Sequence, residues 1–421
     1  MMNINKNTIG WVLYDFANSS YHLLLPTILM PLLFREYYAA EYSNSDFIWS
    51  ITISIPVLLA GIIAPFIGAL SDYLNSRLTF LYITATISII FALFIGLSSE
   101  YSLIEVSILF ILSYFFFNIS LGLYDSILPM LNKSKIGLIS GIGWGIGYLG
   151  GIISLVFVYP LLKDAKLPDN IASYNYSILI VVIFFIIFCS VSFLFLKNFK
   201  YTQPLNEISQ GKKNLLNIAF SRVSLTIKNW KKNKNIFKIL VSYYLANDGL
   251  TTLMFFTTIY ASGTLNFDNT QILLLFVIVQ LIGIPATIFG GFLADKYGNK
   301  IILYCSLIIW IFLSIAYAFG SGIYTFYLIA LFTGIVIGTT PAIYRSLLAS
   351  VIPTSKSAEI FGFNSFASRV SAIIGPLLFG LISYLTQSQR YAMLSLVLFF
   401  IAAYIILYNV DCNEKKDYEL L

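Results

Sequence analysis

Twelve apolar runs, each near the length a helix needs to cross a bilayer, leave this chain few folds to choose from. A membrane-crossing helix takes about 20 mostly apolar residues, and the runs fall at 10–34, 47–71, 78–98, 103–131, 137–161, 176–196, 236–261, 270–294, 301–320, 323–350, 358–386 and 391–410. The balance of residues agrees: 58% are hydrophobic and 10% charged, where a soluble chain carries about 25% charge. The first run is too long and too polar for the core of a signal peptide. The expected fold class is an all-α membrane protein of twelve transmembrane helices.

Basic residues give the expected orientation, because they concentrate in loops on the cytoplasmic side. With both termini cytoplasmic, 19 of the 25 Lys and Arg fall on that side and four (Arg35, Lys163, Lys166 and Arg390) on the other; Arg345 and Arg369 lie within spans. The longest polar segment, 198–235, has Glu207 as its only acid. It reads as a basic connector near an anionic leaflet, and 215–232 has the pattern of a short amphipathic surface helix. Nucleic acid is not an expected partner, since no soluble domain accompanies these charges.

The connector divides the spans six and six, and the halves echo each other. Gly68-Ala69-Leu70-Ser71-Asp72 matches Gly291-Phe292-Leu293-Ala294-Asp295; Tyr124-Asp125-Ser126-Ile127-Leu128 matches Tyr344-Arg345-Ser346-Leu347-Leu348; Ala17-Asn18-Ser19 matches Ala246-Asn247-Asp248. The offsets of 223, 220 and 229 are nearly constant. The expected organisation is a six-helix bundle at 1–197, the connector at 198–235, a second bundle at 236–410 and a cytoplasmic tail at 411–421, the bundles being parallel repeats about an axis along the membrane normal.

These residues resemble a known family. Gly291 to Lys300 is similar to the loop signature G-x-L-a-D-r-x-G-r-r of the major facilitator superfamily, and Gly68 to Arg77 is a degenerate copy lacking the second glycine. Leu13 to Tyr21, Leu123 to Pro129, Asn247-Asp248-Gly249, and the run from Arg345 through Glu359 and Phe361-Gly362-Phe363 to Gly375-Pro376 together resemble its vacuole-effluxer-like branch, whose fungal members export amino acids from vacuoles. The resemblance spans nearly the whole chain. It implies alternating-access transport by a monomer, with the first, fourth, seventh and tenth helices lining a central cavity. It also implies that Asp72 and Asp295 each face the positive end of a helix in the other half, and so act in gating.

Ionisable groups inside spans are costly and mark functional sites or buried pairs. Asp15, Asn18 and His22 are spaced to share one helix face, with Asp15 and His22 about 10 Å apart along the axis. They form either a strip that binds substrate or relays protons, or interhelical hydrogen bonds. Asp125 and Arg345, repeat-related and opposite in charge, are either a charge pair or clamp, or two separate structural charges. Asn247 and Asp248 sit mid-span beside Gly249, where a weakened helix can offer backbone to a ligand. Arg369 is either a substrate or carboxylate partner or a packing residue. The fifth span is rich in glycine. Gly147 and Gly151 are placed with the gating residues, as a pivot or as simple close packing; the run approaches the superfamily's antiporter signature but lacks its proline.

The expected function is secondary active transport of a small polar solute, amino-acid-like and proton-coupled, in a cell membrane (a vacuolar one in a eukaryote). The alternative is export of a cationic or amphipathic compound. A channel or a membrane enzyme is less favoured: one histidine excludes a histidine-based cluster, three scattered cysteines make no metal spacing, and no G-x-x-x-x-G-K-S/T nucleotide loop occurs. No cofactor and no metal are expected.

Overall fold

The structure, a computed structural model, describes residues 5–42, 45–97, 100–132, 134–162, 165, 167, 169–199, 215–263, 265, 267 and 269–411. Residues 200–214 of the connector and nearly all of the expected tail lie outside these residues. Every regular element among the described residues is a helix.

The spans are α1 (Lys6–Leu24, continued irregularly to Tyr38), α2 (Ser45–Tyr73), α3 (Arg77–Leu97), α4 (Leu103–Asp125), α5 (Ile136–Leu162) and α6 (Ile171–Leu196), then α7 (Lys234–Gly263), α8 (Asn269–Tyr297), α9 (Asn299–Phe319), α10 (Ile323–Val351), α11 (Ser357–Thr386) and α12 (Gln389–Tyr408). A shorter helix, Leu215–Lys228, precedes α7. Among the described residues nine of the spans are long and apolar enough to cross a membrane. The other three, α1, α7 and α11, carry most of the polar residues singled out from the sequence.

Local chemistry explains the boundaries. α4 starts where Ser102 and Glu105 form a capping box: Ser102 Oγ accepts the Glu105 N–H at 3.3 Å and a Glu105 carboxylate oxygen accepts the Ser102 N–H at 2.8 Å. This satisfies two of the orphan donors of a helix start. α9 and α10 each follow a glycine with positive φ, Gly298 at 98° and Gly322 at 76°, where other residues are strained. α1 does not run straight. Pro26 and Pro31 have no N–H to give to the turn before them, and the chain winds as π-helix over Leu25–Leu29 and Phe34–Tyr38. The Thr27 hydroxyl donates to the His22 carbonyl at 3.0 Å, the acceptor that Pro26 leaves without its usual partner. Likewise Pro341 cannot donate to Ile337, and α10 breaks there at Gly338 into Ile323–Ile337 and Thr339–Val351.

The chain divides into two compact units. One holds Met1–Leu131, Ile146–Phe220 and Ser355–Phe366; the other holds Asn132–Gly145, Ser221–Thr354 and Ala367–Leu421. In the first, α1 packs on α6, α2 on α4, and α3 on both α4 and α6. The second repeats the pattern: α7 on α12, α8 on α10, and α9 on both α10 and α12. Aromatic side chains with polar tips fasten each core. Trp11 Nε1 donates to the Tyr124 carbonyl at 3.0 Å while its ring stacks on Tyr124 at 4.5 Å, and Tyr14 donates to Ser120 Oγ at 2.9 Å. In the second unit Trp310 Nε1 donates to Thr340 Oγ1 at 2.9 Å, and the hydroxyls of Tyr344 and Ser242 pair at 2.6 Å.

The glycines of α5 fall on two faces. A Cβ at Gly141 would lie 2.5 Å from the Thr287 carbonyl of α8, and one at Gly150 would lie 2.2 Å from the Phe16 carbonyl of α1. Both positions are backbone-on-backbone contacts with no room for a methyl group. Gly141→Ala and Gly150→Ala are each predicted to cost about 1–3 kcal/mol by overpacking, read as a lower thermal midpoint of the purified protein. Gly380→Ala, with nothing within 4 Å of its Cβ, is predicted to leave that midpoint unchanged or slightly raised.

Candidate functional site

Asp248 lies midway along α7 and has no exposed surface. Its Oδ1 accepts the Gly375 N–H of α11 at 2.8 Å, while its buried Oδ2 has no hydrogen-bond partner among the described residues. One turn on, the Thr252 hydroxyl is also buried, with no hydrogen-bond partner among the described residues. A Cβ at Gly375 would lie 2.6 Å from Asp248 Oδ1 and 2.0 Å from Thr252 Oγ1. Only glycine lets the α11 backbone come this close. Asn247 is half-buried and donates through Nδ2 to the Ser368 carbonyl at 3.4 Å. Both polar residues of the Asn247-Asp248 pair therefore meet α11. The backbone of Arg369 belongs to α11; its side chain lies outside the described residues.

On α1, Asn18 is buried and donates to Asp15 Oδ1 at 3.5 Å, a long contact, and the Ser19 hydroxyl donates to the Asp15 carbonyl at 2.8 Å. Asp15 is half-buried and His22 exposed, with the His22 ring parallel to Phe117 of α4 at 6.1 Å. Gly147 of α5 lies against Ser19 and the Asp15 backbone, and Gly151 against Leu23. The two glycines thus bring α5 onto the helix face that bears the polar strip.

The loop aspartates both meet helix starts. Asp295, exposed at the end of α8, accepts the Gly137 N–H at 2.7 Å and the Leu138 N–H at 2.8 Å, in the first turn of α5. Asp72, buried at the end of α2, accepts the Ala358 N–H at 3.2 Å and the Glu359 N–H at 2.9 Å, in the first turn of α11. Each carboxylate supplies acceptors for N–H groups that a helix start leaves unpaired and sits at the positive end of the helix dipole. Asp72 also forms an ion pair with buried Arg77.

Asp125 is the half-buried last residue of α4. Arg345, nearly buried in α10, donates through Nε to Ser140 Oγ at 2.9 Å and through Nη2 to the Ser140 carbonyl at 2.8 Å, with its guanidinium 5.8 Å from the Trp144 ring centre. It therefore clamps the start of α5 from the α10 side. Among the described residues no group of three or more His, Cys, Asp or Glu side chains is placed to hold a metal.

The family described as "Vacuole effluxer Atg22 like" matches residues 37–419. The chain belongs to that family. A relative described as an uncharacterized MFS-type transporter, YxiO of Bacillus subtilis, is 25% identical, and the match covers 99% of this chain and 97% of the relative. Autophagy-related protein 22 of Kluyveromyces lactis is 24% identical over 67% of this chain, a match that spans 60% of the fungal protein's length. Solved structures share the fold. The human organic anion transporter MFSD10 superposes with a TM-score of 0.73 at 14% identity, covering 97% of this chain and all of that one. The proton:xylose symporter XylE gives 0.72 at 13% identity, covering 96% and 94%. The protein is thus a multi-pass membrane transporter of the major facilitator fold, and it is not an enzyme.

Several residues of this Atg22-like site escape sequence reasoning. Gly375 appears there only within a Gly-Pro step, Thr252 as one of many helix threonines, and Ser140 and Trp144 as parts of a glycine-rich run. What makes them polar partners is contact across more than a hundred residues of chain, which periodicity does not encode. Arg77 had a signal: a basic residue five positions after a buried acid, at a helix start. Removing one partner of a buried pair is more costly than removing both. Arg77→Gln is predicted to destabilise the protein by about 3–5 kcal/mol, and Asp72→Asn in addition to recover part of that loss. Thermal unfolding of the single and double variants checks this.

Proposed function

We propose that the chain is a secondary active transporter that moves a small polar solute, amino-acid-like, by alternating access, and couples that movement to protons through Asp248. The observation that carries the coupling is the pair of unlike oxygens on one buried carboxyl group: Oδ1 is held by the Gly375 N–H, and Oδ2 has no hydrogen-bond partner among the described residues. In this reading a proton taken up by the residue goes on Oδ2, the oxygen that the Gly375 N–H does not hold. Asp15, with Asn18 and Ser19 against it, supplies the second polar station, and His22, Asn247, Arg345 and Arg369 are further substrate contacts in this reading. The effluxer description of the family supports export as the direction. The basic connector supports cytoplasmic termini in a cell membrane.

In this cycle the Asp72 and Asp295 contacts with helix starts break and re-form as the cytoplasmic side opens and closes. A ligand or proton shifts that equilibrium only by its differential affinity for the two states. Asp248 provides such a difference if its bond to Gly375 exists in one state and not in the other.

The test is transport in proteoliposomes with an imposed pH gradient, after a thermal-shift screen of amino acids and of cationic amphiphiles on the purified protein. Asp248→Asn is predicted to keep solute exchange across the bilayer while losing accumulation driven by the gradient. Accumulation by the variant at the wild-type rate and with the wild-type gradient dependence would sink the coupling role. Asp15→Asn is predicted to fold normally and to lose at least tenfold in transport rate; a wild-type rate would remove Asp15 from the site. Stabilisation only by cationic amphiphiles would favour the alternative substrate class.

A further inference from the structure

The helix Leu215–Lys228 is not one of the twelve spans, yet it is apolar on more than one side. Ala219, Val223 and Thr226 are buried, and their spacing of four and three puts them on one face. Phe220 and Ile227, seven residues apart, make a second apolar stripe about 100° round the helix, and both are exposed. This stripe is not aimed at open water. Phe220 stacks on Phe66 at 5.9 Å with the rings 20° apart, and Phe66 belongs to the apolar membrane span Ile48–Tyr73. Phe220 thus lies at a level within the α2 span.

The charge beside the stripe is of one sign. No acidic residue occurs between Glu207 and Asp248. Lys228, Lys231 and Lys232 are all exposed at the helix end, with Lys231 Nζ 5.9 Å from the ring centre of the exposed Trp230. Two other lysines are committed elsewhere: Lys238 donates to the Asn409 carbonyl, and Lys300 to those of Tyr408 and Val410, at the end of α12. Tryptophan beside lysine, next to a half-embedded apolar stripe, is the composition of a membrane–water boundary.

We propose that residues 215–232 form an interfacial element that binds an anionic lipid surface. Acyl chains cover Phe220 and Ile227, and phosphate headgroups sit against Lys228, Lys231 and Lys232. The geometry favours a lipid over a soluble anion because the cationic residues lie at the end of the helix that bears the apolar stripe and in the turn after it, and only an amphiphile satisfies both. A basic segment near such a surface gains about a factor of five per lysine or arginine.

The test uses the full chain in nanodiscs of phosphatidylcholine with or without phosphatidylglycerol. A nitroxide on a single cysteine replacing Ile227, in a background without Cys189, Cys305 and Cys412, is expected to be accessible to dissolved oxygen and shielded from a water-soluble nickel chelate. One replacing Ser221 is expected to show the reverse. In native mass spectrometry the wild type is expected to retain phosphatidylglycerol over phosphatidylcholine, K228Q/K231Q/K232Q to lose that preference by about a hundredfold, and K228R/K231R/K232R to keep it. The lysines are exposed, so the thermal midpoint in detergent should not move. Equal retention by the glutamine variant, or a chelate-accessible label at position 227, overturns the proposal. Retention of inorganic phosphate as readily as of the lipid overturns it as well.

Discussion

Two carboxylates that end α8 and α2 take up the unpaired N–H groups of α5 and α11, and much of the architecture follows from those contacts. In a membrane, a helix start cannot leave its donors to water at every point of its environment. Asp295 and Asp72 solve this for two helices at once, each through two backbone N–H bonds. The consequence is visible in the division of the chain. The first turns of α5 belong to the unit that contains α8, and the first turns of α11 to the unit that contains α2. Repeat symmetry stops at the counter-charge. Asp72 is buried and has Arg77 beside it, whereas Lys300, the matching residue near Asp295, is spent on the end of α12. Exposure explains the difference. Asp295 reaches solvent, which offsets its charge, while buried Asp72 gains from the guanidinium beside it.

Close backbone contact carries the same logic along α5. Its glycines before residue 146 meet α8, and those after it meet α1. The glycine run therefore serves two partners in succession, one in each unit. Arg345 adds a third hold, on the Ser140 carbonyl and the Trp144 ring. α5 is thus held by Asp295 at its first amides, by Arg345 one turn on and by close glycine contacts along its length. Substitution at any of these points disturbs the others, so their effects should not add.

The spans, their order and the family were legible in the sequence because hydropathy and repeats are local signals. Twelve runs correspond to twelve helices within a few residues. The irregularities were less legible. Pro26, Pro31 and Pro341 announce that an N–H is missing, but whether the helix kinks, bulges or breaks depends on who fills the vacancy. Thr27 does so for His22, and Gly338 yields in α10. Among site residues, the Asp15–Asn18 contact follows from their spacing of three. The partners of Asp248 and Arg345 do not, because both lie more than a hundred positions away. Asp125 and Arg345 match in the repeat, and the repeat does not announce the bonds from the Arg345 guanidinium to the backbone and hydroxyl oxygens of Ser140. Repeat position thus marks where a charge sits and leaves open what it binds.

The α7–α11 contact joins the polar site to helix mechanics. Gly375 is followed by Pro376, which has no N–H to return to the preceding turn, so α11 is weakened next to the point where it meets Asp248. A glycine and a proline together make this stretch of the helix easier to bend. The Asp248–Gly375 bond is short and depends on the absence of a Cβ, so a small sliding or bending of α11 is enough to break it. In the proposed cycle that makes Asp248 a reader of helix position: with α11 in place Oδ1 is occupied and only Oδ2 is open, and with α11 displaced both oxygens need partners. Proton occupancy and helix position are then linked by reciprocity, each biasing the other to the same degree. One hydrogen bond to a charged group is worth about 1.5–3 kcal/mol, which corresponds to a shift of roughly tenfold to a hundredfold in the conformational equilibrium, the range over which a modest gradient can drive a carrier.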